Sequence, residues 1–215
     1  MNSSIRGLYA IIDAAQMGQR SPLAIFDALV SAGVALIQYR DKEGSSLQLF
    51  DTSRQLAARA RQCHATLIIN DRADVALAAG ADGVHLGQND LPVELARRVV
   101  QSDLVVGCST HSLAQVEEAN RSSADYIAFG PVFSTQSKER PSPTVGLEGL
   151  HAARKATRKP LVAIGGIAVE NARAVIEAGA DAFAVISDLL KHEDVAARAQ
   201  QFLRILDECR PGGKG

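Results

Sequence analysis

Two aspartates stand where apolar stretches of the chain end. Asp71 follows "TLIIN", and Asp90 lies just beyond "GVHLG". Carboxylate oxygens are ligands that Mg²⁺ prefers, and one or two of them commonly hold this ion while substrate phosphates and waters complete its coordination. Asp71 also fits the N-cap of a helix that begins in "RADVALAAG". The residues alone therefore leave two interpretations open, a metal site and a pair of surface caps.

Cationic and hydroxyl side chains offer a second kind of chemistry. Arg40 and Lys42 are two residues apart, so on an extended strand they share a face and could bind one polyanion. A solvated strand end is the alternative. Further along, a hydroxyl-rich stretch with one cation is consistent with phosphate contacts and equally with an ordinary solvated loop. Its members are Ser134, Thr135, Ser137 and Lys138.

The stretch "AIGGI" is the third candidate. Gly165 and Gly166 leave backbone amides open at the end of an apolar run, and Ser187 ends the next run. Exposed amides of this kind can bind a phosphate, although a tight turn that merely requires glycine is the alternative. His85 lies alone inside an apolar run, which favours an interior residue over a ligand. His111 stands at a strand end, where proton transfer is open to it.

The elements that must position these residues are short apolar runs that alternate with amphipathic segments. Runs that are apolar throughout indicate a parallel sheet buried on both faces. The phrase "AGAD" recurs at 79–82 and 178–181, each time between a predicted helix and a predicted strand, which indicates a repeated βα unit. The eight predicted strands are 7–13, 34–40, 66–71, 83–87, 105–110, 126–132, 160–166 and 182–187.

Residues typical of helix boundaries separate these runs. Ser21 before Pro22 is typical of a helix start. Gly33, Gly80 and Gly179 each follow an alanine and precede a strand, as expected for the left-handed residue that ends a helix. These signals predict helices between the strands.

Eight parallel strands that alternate with helices close most simply into a (β/α)₈ TIM barrel, which is the predicted fold. An open doubly wound sheet is the alternative, but no G-x-G-x-x-G follows the first strand. Residues 1–215 are predicted to form a single barrel domain, with a disordered tail at 211–215. The polar candidates gather at the carboxyl ends of the strands, which favours an enzyme or a ligand-binding barrel over a structural protein.

Bulk composition argues against several classes of protein. The 215 residues are 47% hydrophobic and carry a formal net charge of −1, which suits a compact core and not electrostatic binding to nucleic acid or to a membrane. Neither a signal peptide nor a membrane-spanning run is predicted. Cys63, Cys108 and Cys209 form no C-x-x-C pair, which predicts reduced thiols and a cytoplasmic location.

Several motifs resemble those of one enzyme family, thiamine phosphate synthase, and the likeness extends from the first predicted strand to the last. The resemblance implies a (β/α)₈ barrel that couples 4-amino-2-methyl-5-hydroxymethylpyrimidine diphosphate with 4-methyl-5-(2-phosphoethyl)thiazole. Diphosphate is released, and Mg²⁺ is the implied cofactor. In chain order the motifs are "QYRDK", "LIINDRADVALAAGADGVHLGQND", "VGCSTHSLAQVEEA", "ADYIAFGPVFSTQSK", "VGLEGL" and "AIGGI" with "AVIS".

The resemblance also implies roles for individual residues. Asp71 and Asp90 would hold Mg²⁺ bridged to the diphosphate, and Ser109 and Lys138 would act in catalysis. Substrate contacts would be made by four kinds of residue. They are Arg40, Lys42, Asn70 and Lys138 at the diphosphate, Gln38 near the pyrimidine, Ser109, Thr135 and Ser137 through hydroxyls, and Gly166, Ile186 and Ser187 at the thiazole phosphate.

The chain departs from the family at two points. Ser137 stands where threonine is usual, and Asp188 in "ISDLL" replaces a commoner small residue, which bears on the shape of the phosphate site. Residues 134–145 lack helical or strand periodicity, and we interpret them as a lid that closes over the diphosphate. The implied partners are the two small-molecule substrates, and a homo-oligomer is neither required nor excluded.

The family's reaction is dissociative, so it needs no side-chain nucleophile: diphosphate leaves, the aminopyrimidine stabilises the cation, and the thiazole nitrogen attacks. Two alternatives remain. A thiazole tautomerase of the same superfamily would use His111 for proton transfer, whereas a non-catalytic barrel would only bind a thiamine precursor. Asp90 and the pair Gly130–Pro131 favour the synthase over the tautomerase.

Overall fold

The computed structural model describes residues 5–101, 104–135 and 143–209. Its strands form one closed barrel in the order β1 to β8, in which each strand is parallel to its neighbours and β8 pairs with β1. The predicted TIM barrel is therefore confirmed. The strands are β1 (Gly7–Asp13), β2 (Leu36–Arg40), β3 (Thr66–Asn70), β4 (Gly83–Leu86), β5 (Val105–Thr110), β6 (Tyr126–Phe129), β7 (Leu161–Ile164) and β8 (Ala182–Val185).

The strands are connected by α-helices, and a short 3₁₀ helix (Ala14–Gln16) lies between β1 and the first of them. The predicted start at Ser21 and Pro22 is confirmed, and Gly33, Gly80 and Gly179 all have positive φ. The α-helices are α1 (Pro22–Ser31), α2 (Ser46–Cys63), α3 (Ala73–Ala79), α4 (Val93–Val100), α5 (Leu113–Arg121), α6 (Gly146–Ala156), α7 (Val169–Glu177), α8 (Ser187–Leu190) and α9 (Val195–Cys209).

Apolar side chains pack in two layers, one between the strands and the helices and one inside the barrel. Successive residues of a strand face opposite sides of the sheet. On β2, Ile37 and Tyr39 belong to the outer layer while Leu36 belongs to the inner one. Gln38 and Arg40 share the inward face with Leu36, so the strand period directs them into the barrel and toward its mouth.

Several strands are shorter than their apolar runs, because the last residues of those runs form loops. After β6 and β7 the two loops are joined by backbone hydrogen bonds, from Val132 N to Ile164 O and from Phe133 N to Gly165 O, both 2.9 Å. The glycines of "AIGGI" therefore belong to a loop that is fixed against its neighbour. No helix in the described ranges has an apolar stretch long enough to cross a membrane.

Candidate active site

A cavity at the mouth of the barrel, here called the mouth cavity, collects most of the predicted site residues. It opens where the carboxyl ends of the strands meet, as the fold predicts. Its wall combines apolar residues with two of the three predicted cations and with both predicted aspartates. The predicted residues that line it are Gln38, Arg40, Lys42, Asn70, Asp71, Asp90, Ser109 and Ile186.

Asp71 and Asp90 come together within this cavity. Burial raises the pKa of Asp90, and the adjoining Asp71 carboxyl, within hydrogen-bonding reach, raises it further. The Asp90 Oδ2 accepts a 2.7 Å bond from the amide of Gly87, which fixes its direction. Two carboxylates held this close repel one another unless a proton or a cation lies between them. The donor set therefore fits Mg²⁺.

The alternative interpretation of Asp71 as a helix cap is wrong. The N-cap of α3 is Arg72, and Asp71 has a left-handed backbone with φ of 64°. Asp71 contacts Lys42 instead, with 2.9 Å between its Oδ2 and the Lys42 Nζ.

Arg40 is held by a partner that sequence reasoning missed. Its Nη1 lies 2.7 Å from Oδ2 of Asp13, whose side chain is only 2% exposed. Asp13 also accepts a 3.2 Å bond from the amide of Ala15, and a weaker one from the side chain of Gln16. The available signal was the run "GLYAIID", because it ends in a carboxylate at a strand terminus like the run before Asp71.

A second cavity adjoins the mouth cavity and is here called the phosphate pocket, after the thiazole phosphate that the family resemblance implies. The predicted residues Thr135, Gly166 and Ser187 line it. Thr135 thus lies beside the predicted thiazole phosphate residues and does not line the mouth cavity. Residues that line both cavities form a shared wall. They are Arg40, Ser109, Ile164, Ala184 and Ile186.

The glycine pair after β7 is required by the geometry of this pocket. Gly165 and Gly166 have φ values of 101° and 66°. A Cβ at Gly166 would lie 2.8 Å from the Phe133 Cβ and closer still to the carbonyl oxygen of Ser134. Any other residue would therefore both strain the backbone and push the loop after β6 out of place.

Ser187 and Asp188 follow β8 at the other side of the pocket. The Ser187 hydroxyl donates a 2.7 Å bond to Oε1 of Gln16, which ties the end of β8 to the 3₁₀ helix after β1. Asp188 makes two 2.9 Å bonds with the guanidinium of Arg198. The extra carboxylate that departs from the family pattern is thus paired with a cation of α9.

His111 lines the phosphate pocket as well. Its Nδ1 is 2.6 Å from the carbonyl oxygen of Gly130, and because a carbonyl can only accept, Nδ1 carries the hydrogen. Ser137 and Lys138, with most of the predicted lid, lie outside the described residues. Their roles stay predictions.

The floor of the mouth cavity is polar. His85, predicted to be an interior residue, has both ring nitrogens hydrogen bonded, to Tyr126 and to Ser109. Tyr9 bonds to Tyr126 and accepts a bond from Gln38. Sequence reasoning missed both tyrosines, although each is a hydroxyl-bearing residue within an apolar strand and therefore requires a buried partner.

Comparisons with known proteins show the family to which the chain belongs. The family described as "Thiamine monophosphate synthase" matches residues 8–189. The chain belongs to this family. The thiamine-phosphate synthase of Koribacter versatilis is 51% identical over 203 residues, which cover 93% of this chain and 95% of that protein. The thiamine-phosphate synthase of Chloroflexus aurantiacus is 43% identical over 194 residues, covering 90% and 89%.

A solved structure supports the same assignment to the thiamine monophosphate synthase family. The thiamine phosphate pyrophosphorylase of Pyrococcus furiosus superposes with a TM-score of 0.88 at 34% identity, covering 97% of this chain and 98% of that one. The predictions of the family, of thiamine phosphate synthase as the activity and of a transferase as the enzyme class are confirmed.

Proposed function

We propose that this synthase joins 4-amino-2-methyl-5-hydroxymethylpyrimidine diphosphate to 4-methyl-5-(2-phosphoethyl)thiazole in the two adjoining cavities, forming thiamine phosphate and diphosphate. The shared wall between the mouth cavity and the phosphate pocket is the observation that carries this proposal. One substrate bound in each cavity would bring the two together where the cavities adjoin, at Arg40, Ser109 and Ile186. A reaction that joins two molecules depends on such alignment.

In the mouth cavity, the bond that breaks joins the pyrimidine methylene carbon to a diphosphate oxygen, which keeps the electron pair. Arg40 and Lys42 would bind the departing oxygens, where negative charge develops. Ser109 and Asn70 would add hydrogen bonds. From the family resemblance, Lys138 would act at the same group.

Asp71 and Asp90 would hold Mg²⁺ against the diphosphate. When bound, Mg²⁺ supplies neutralisation of the charge on the leaving group. The described part of the chain contains no group of three or more His, Cys, Asp or Glu side chains placed to hold a metal. Two carboxylates with diphosphate and water oxygens agree with the chemistry of this ion.

In the phosphate pocket, the thiazole phosphate would lie against backbone amides of Gly166, Ile186 and Ser187, with Thr135 nearby. This places the thiazole ring toward the shared wall. The lone pair of its nitrogen would form the new carbon–nitrogen bond, so the protein supplies orientation and no side-chain nucleophile.

The cellular setting follows from the same proposal. Both substrates are phosphorylated small molecules, and the three cysteines are free thiols. We therefore propose a cytoplasmic enzyme. Assembly into a homo-oligomer stays a prediction.

A coupled-product assay tests the function. Purified protein with both substrates and Mg²⁺ should release diphosphate and thiamine phosphate in equal amounts, and omission of the thiazole phosphate should abolish thiamine phosphate formation. Binding of both substrates without turnover would support the non-catalytic precursor-binding barrel instead. Isomerisation of a thiazole substrate alone would support the tautomerase.

A further inference from the structure

A continuous chain of hydrogen bonds crosses the barrel at the floor of the mouth cavity. It runs from Gln38 on β2 through Tyr9 on β1 and Tyr126 on β6. It then reaches Ser109 on β5 by way of His85 on β4. The four bonds measure 2.8 to 2.9 Å. Both end residues are proposed substrate contacts, whereas the proposed reaction assigns no role to the three in the middle.

Donor and acceptor chemistry gives this chain a single direction. The Nε2 of Gln38 can only donate, so Tyr9 accepts there and gives its one hydrogen to Tyr126, its sole other partner within the described residues. Tyr126 must then donate to Nδ1 of His85. A neutral imidazole with a bare Nδ1 carries its hydrogen on Nε2, which donates to Ser109. Burial raises the pKa of both tyrosine hydroxyls, so each retains its hydrogen.

The two ends of the chain consequently face the cavity with opposite hydrogen-bonding character. Ser109 accepts from His85, so its own hydrogen is left for a group in the cavity. Gln38 uses its nitrogen on Tyr9. Its Oε1 has no protein partner in the described ranges. Among the described residues, the one buried side-chain atom without a partner is Ser53 Oγ, so the Oε1 of Gln38 is not fully buried. The Oε1 is therefore open to the cavity that Gln38 lines.

We propose that Tyr9, Tyr126 and His85 are positioning residues that set the hydrogen-bond polarity of the mouth cavity. Their unidirectional chain makes Gln38 an acceptor and Ser109 a donor toward bound substrate. This inference rests on the proposed function, because an acceptor suits the amino group of an aminopyrimidine and a donor suits a diphosphate oxygen. A chain of reversed direction would offer each group the wrong partner, which costs far more than a missing contact.

A double-mutant cycle tests whether Tyr126 acts through Ser109. In the native background, Tyr126→Phe should lower kcat/KM about ten- to a hundredfold, because hydrogen bonds to charged groups are worth this much. In a Ser109→Ala background the same change should cost no more than about twofold, since the group that it directs is gone. Equal losses in both backgrounds would overturn the proposal and leave Tyr126 a packing residue.

Tyr39→Phe is the matched control. Tyr39 is the third buried tyrosine of the barrel strands, but its hydroxyl bonds to Asp41 and lies outside the hydrogen-bond chain. We expect its kcat/KM to stay within about twofold of the native value. A loss as large as that of Tyr126→Phe would show that any buried hydroxyl matters, which contradicts a specific role.

Nitrogen NMR of the native protein tests the direction of the hydrogen-bond chain, and a variant is needed only to assign the signals. With ¹⁵N-labelled histidine, His85 should show hydrogen on Nε2 and a bare Nδ1, and His85→Asn assigns its signals among the five histidines. The opposite tautomer would overturn the proposal. Failure of the native protein to couple the two substrates would refute the proposed function instead, and the tautomer would still decide the direction of the chain.

Discussion

Asp13 and Arg40 are paired twice, once through the backbone and once through their side chains. They lie opposite one another in the register of β1 and β2, and 2.7 Å separates the Arg40 Nη1 from the Asp13 Oδ2. The Asp13 side chain is buried while Arg40 stays 20% exposed and lines both cavities. The buried Asp13 carboxylate thus holds the Arg40 guanidinium beside the place where the two substrates are proposed to meet.

The first prediction concerns this pair. Asp13→Asn removes the charge that holds Arg40 but keeps the shape of the side chain. We expect kcat/KM to fall about tenfold or more, because a charge-assisted bond is lost in a buried position. Steady-state kinetics with both substrates measures the change. Asp27→Asn, which breaks an exposed pair with Arg59, should have almost no effect, and a similar loss there would contradict the argument.

The second prediction concerns the metal. Asp71→Asn and Asp90→Asn should each lower kcat on the order of 10²-fold, since each removes a proposed ligand of the ion that stabilises the leaving group. Titration with Mg²⁺ should show half-maximal activity at a higher concentration. Asp74→Asn, an exposed carboxylate paired with Arg72, is the control. Full activity of the native enzyme in EDTA would refute the metal site.

The third prediction separates backbone strain from steric fit at the phosphate pocket. Gly166→Ala should raise the KM for thiazole phosphate at least about tenfold, because its new Cβ clashes with the loop after β6. Gly18 has a similar φ of 63°, but a Cβ added there would meet nothing within 4 Å. Gly18→Ala should therefore cost about 1 kcal/mol of stability and leave KM unchanged. Equal KM values for both variants would argue against the pocket.

The fourth prediction concerns Asp188. If Arg198 neutralises this carboxylate, Arg198→Met leaves an anion beside the site for thiazole phosphate. The KM for that substrate should rise about tenfold, with little change in kcat, because the like charges repel. Kinetics at several salt concentrations should show that the effect shrinks as salt rises. Arg173→Met, which breaks an exposed pair with Glu208, serves as the control and should leave KM unchanged.

The fifth prediction distinguishes the synthase from the tautomerase. His111 packs through Nδ1 against the carbonyl of Gly130, at the edge of the phosphate pocket. His111→Ala should retain measurable coupling of the two substrates, since the proposed reaction needs no proton carrier. Loss of all turnover in a folded variant that still binds both substrates would favour the tautomerase.

The local features of this protein were determined by the sequence itself. Continuous apolar runs specify buried parallel strands, and the glycines that end helices specify backbone conformations that other residues rarely adopt. The strand period of two then directs Gln38 and Arg40 to the same side of β2. Such signals act over a few residues, so they were readable without the structure, and they sufficed for the barrel and for its polar rim.

The partners of those residues were decided only by the tertiary structure. Tyr9 and Tyr126 are 117 residues apart, and Gln16 and Ser187 are 171 apart, yet each pair is hydrogen bonded. Closure of the barrel sets which strand ends and inward faces become neighbours, and this depends on the packing of all eight strands together. Likewise, α3 begins one residue later than its sequence suggests, so Asp71 is not its N-cap. Asp71 has a left-handed backbone instead, and its side chain lies beside that of Asp90.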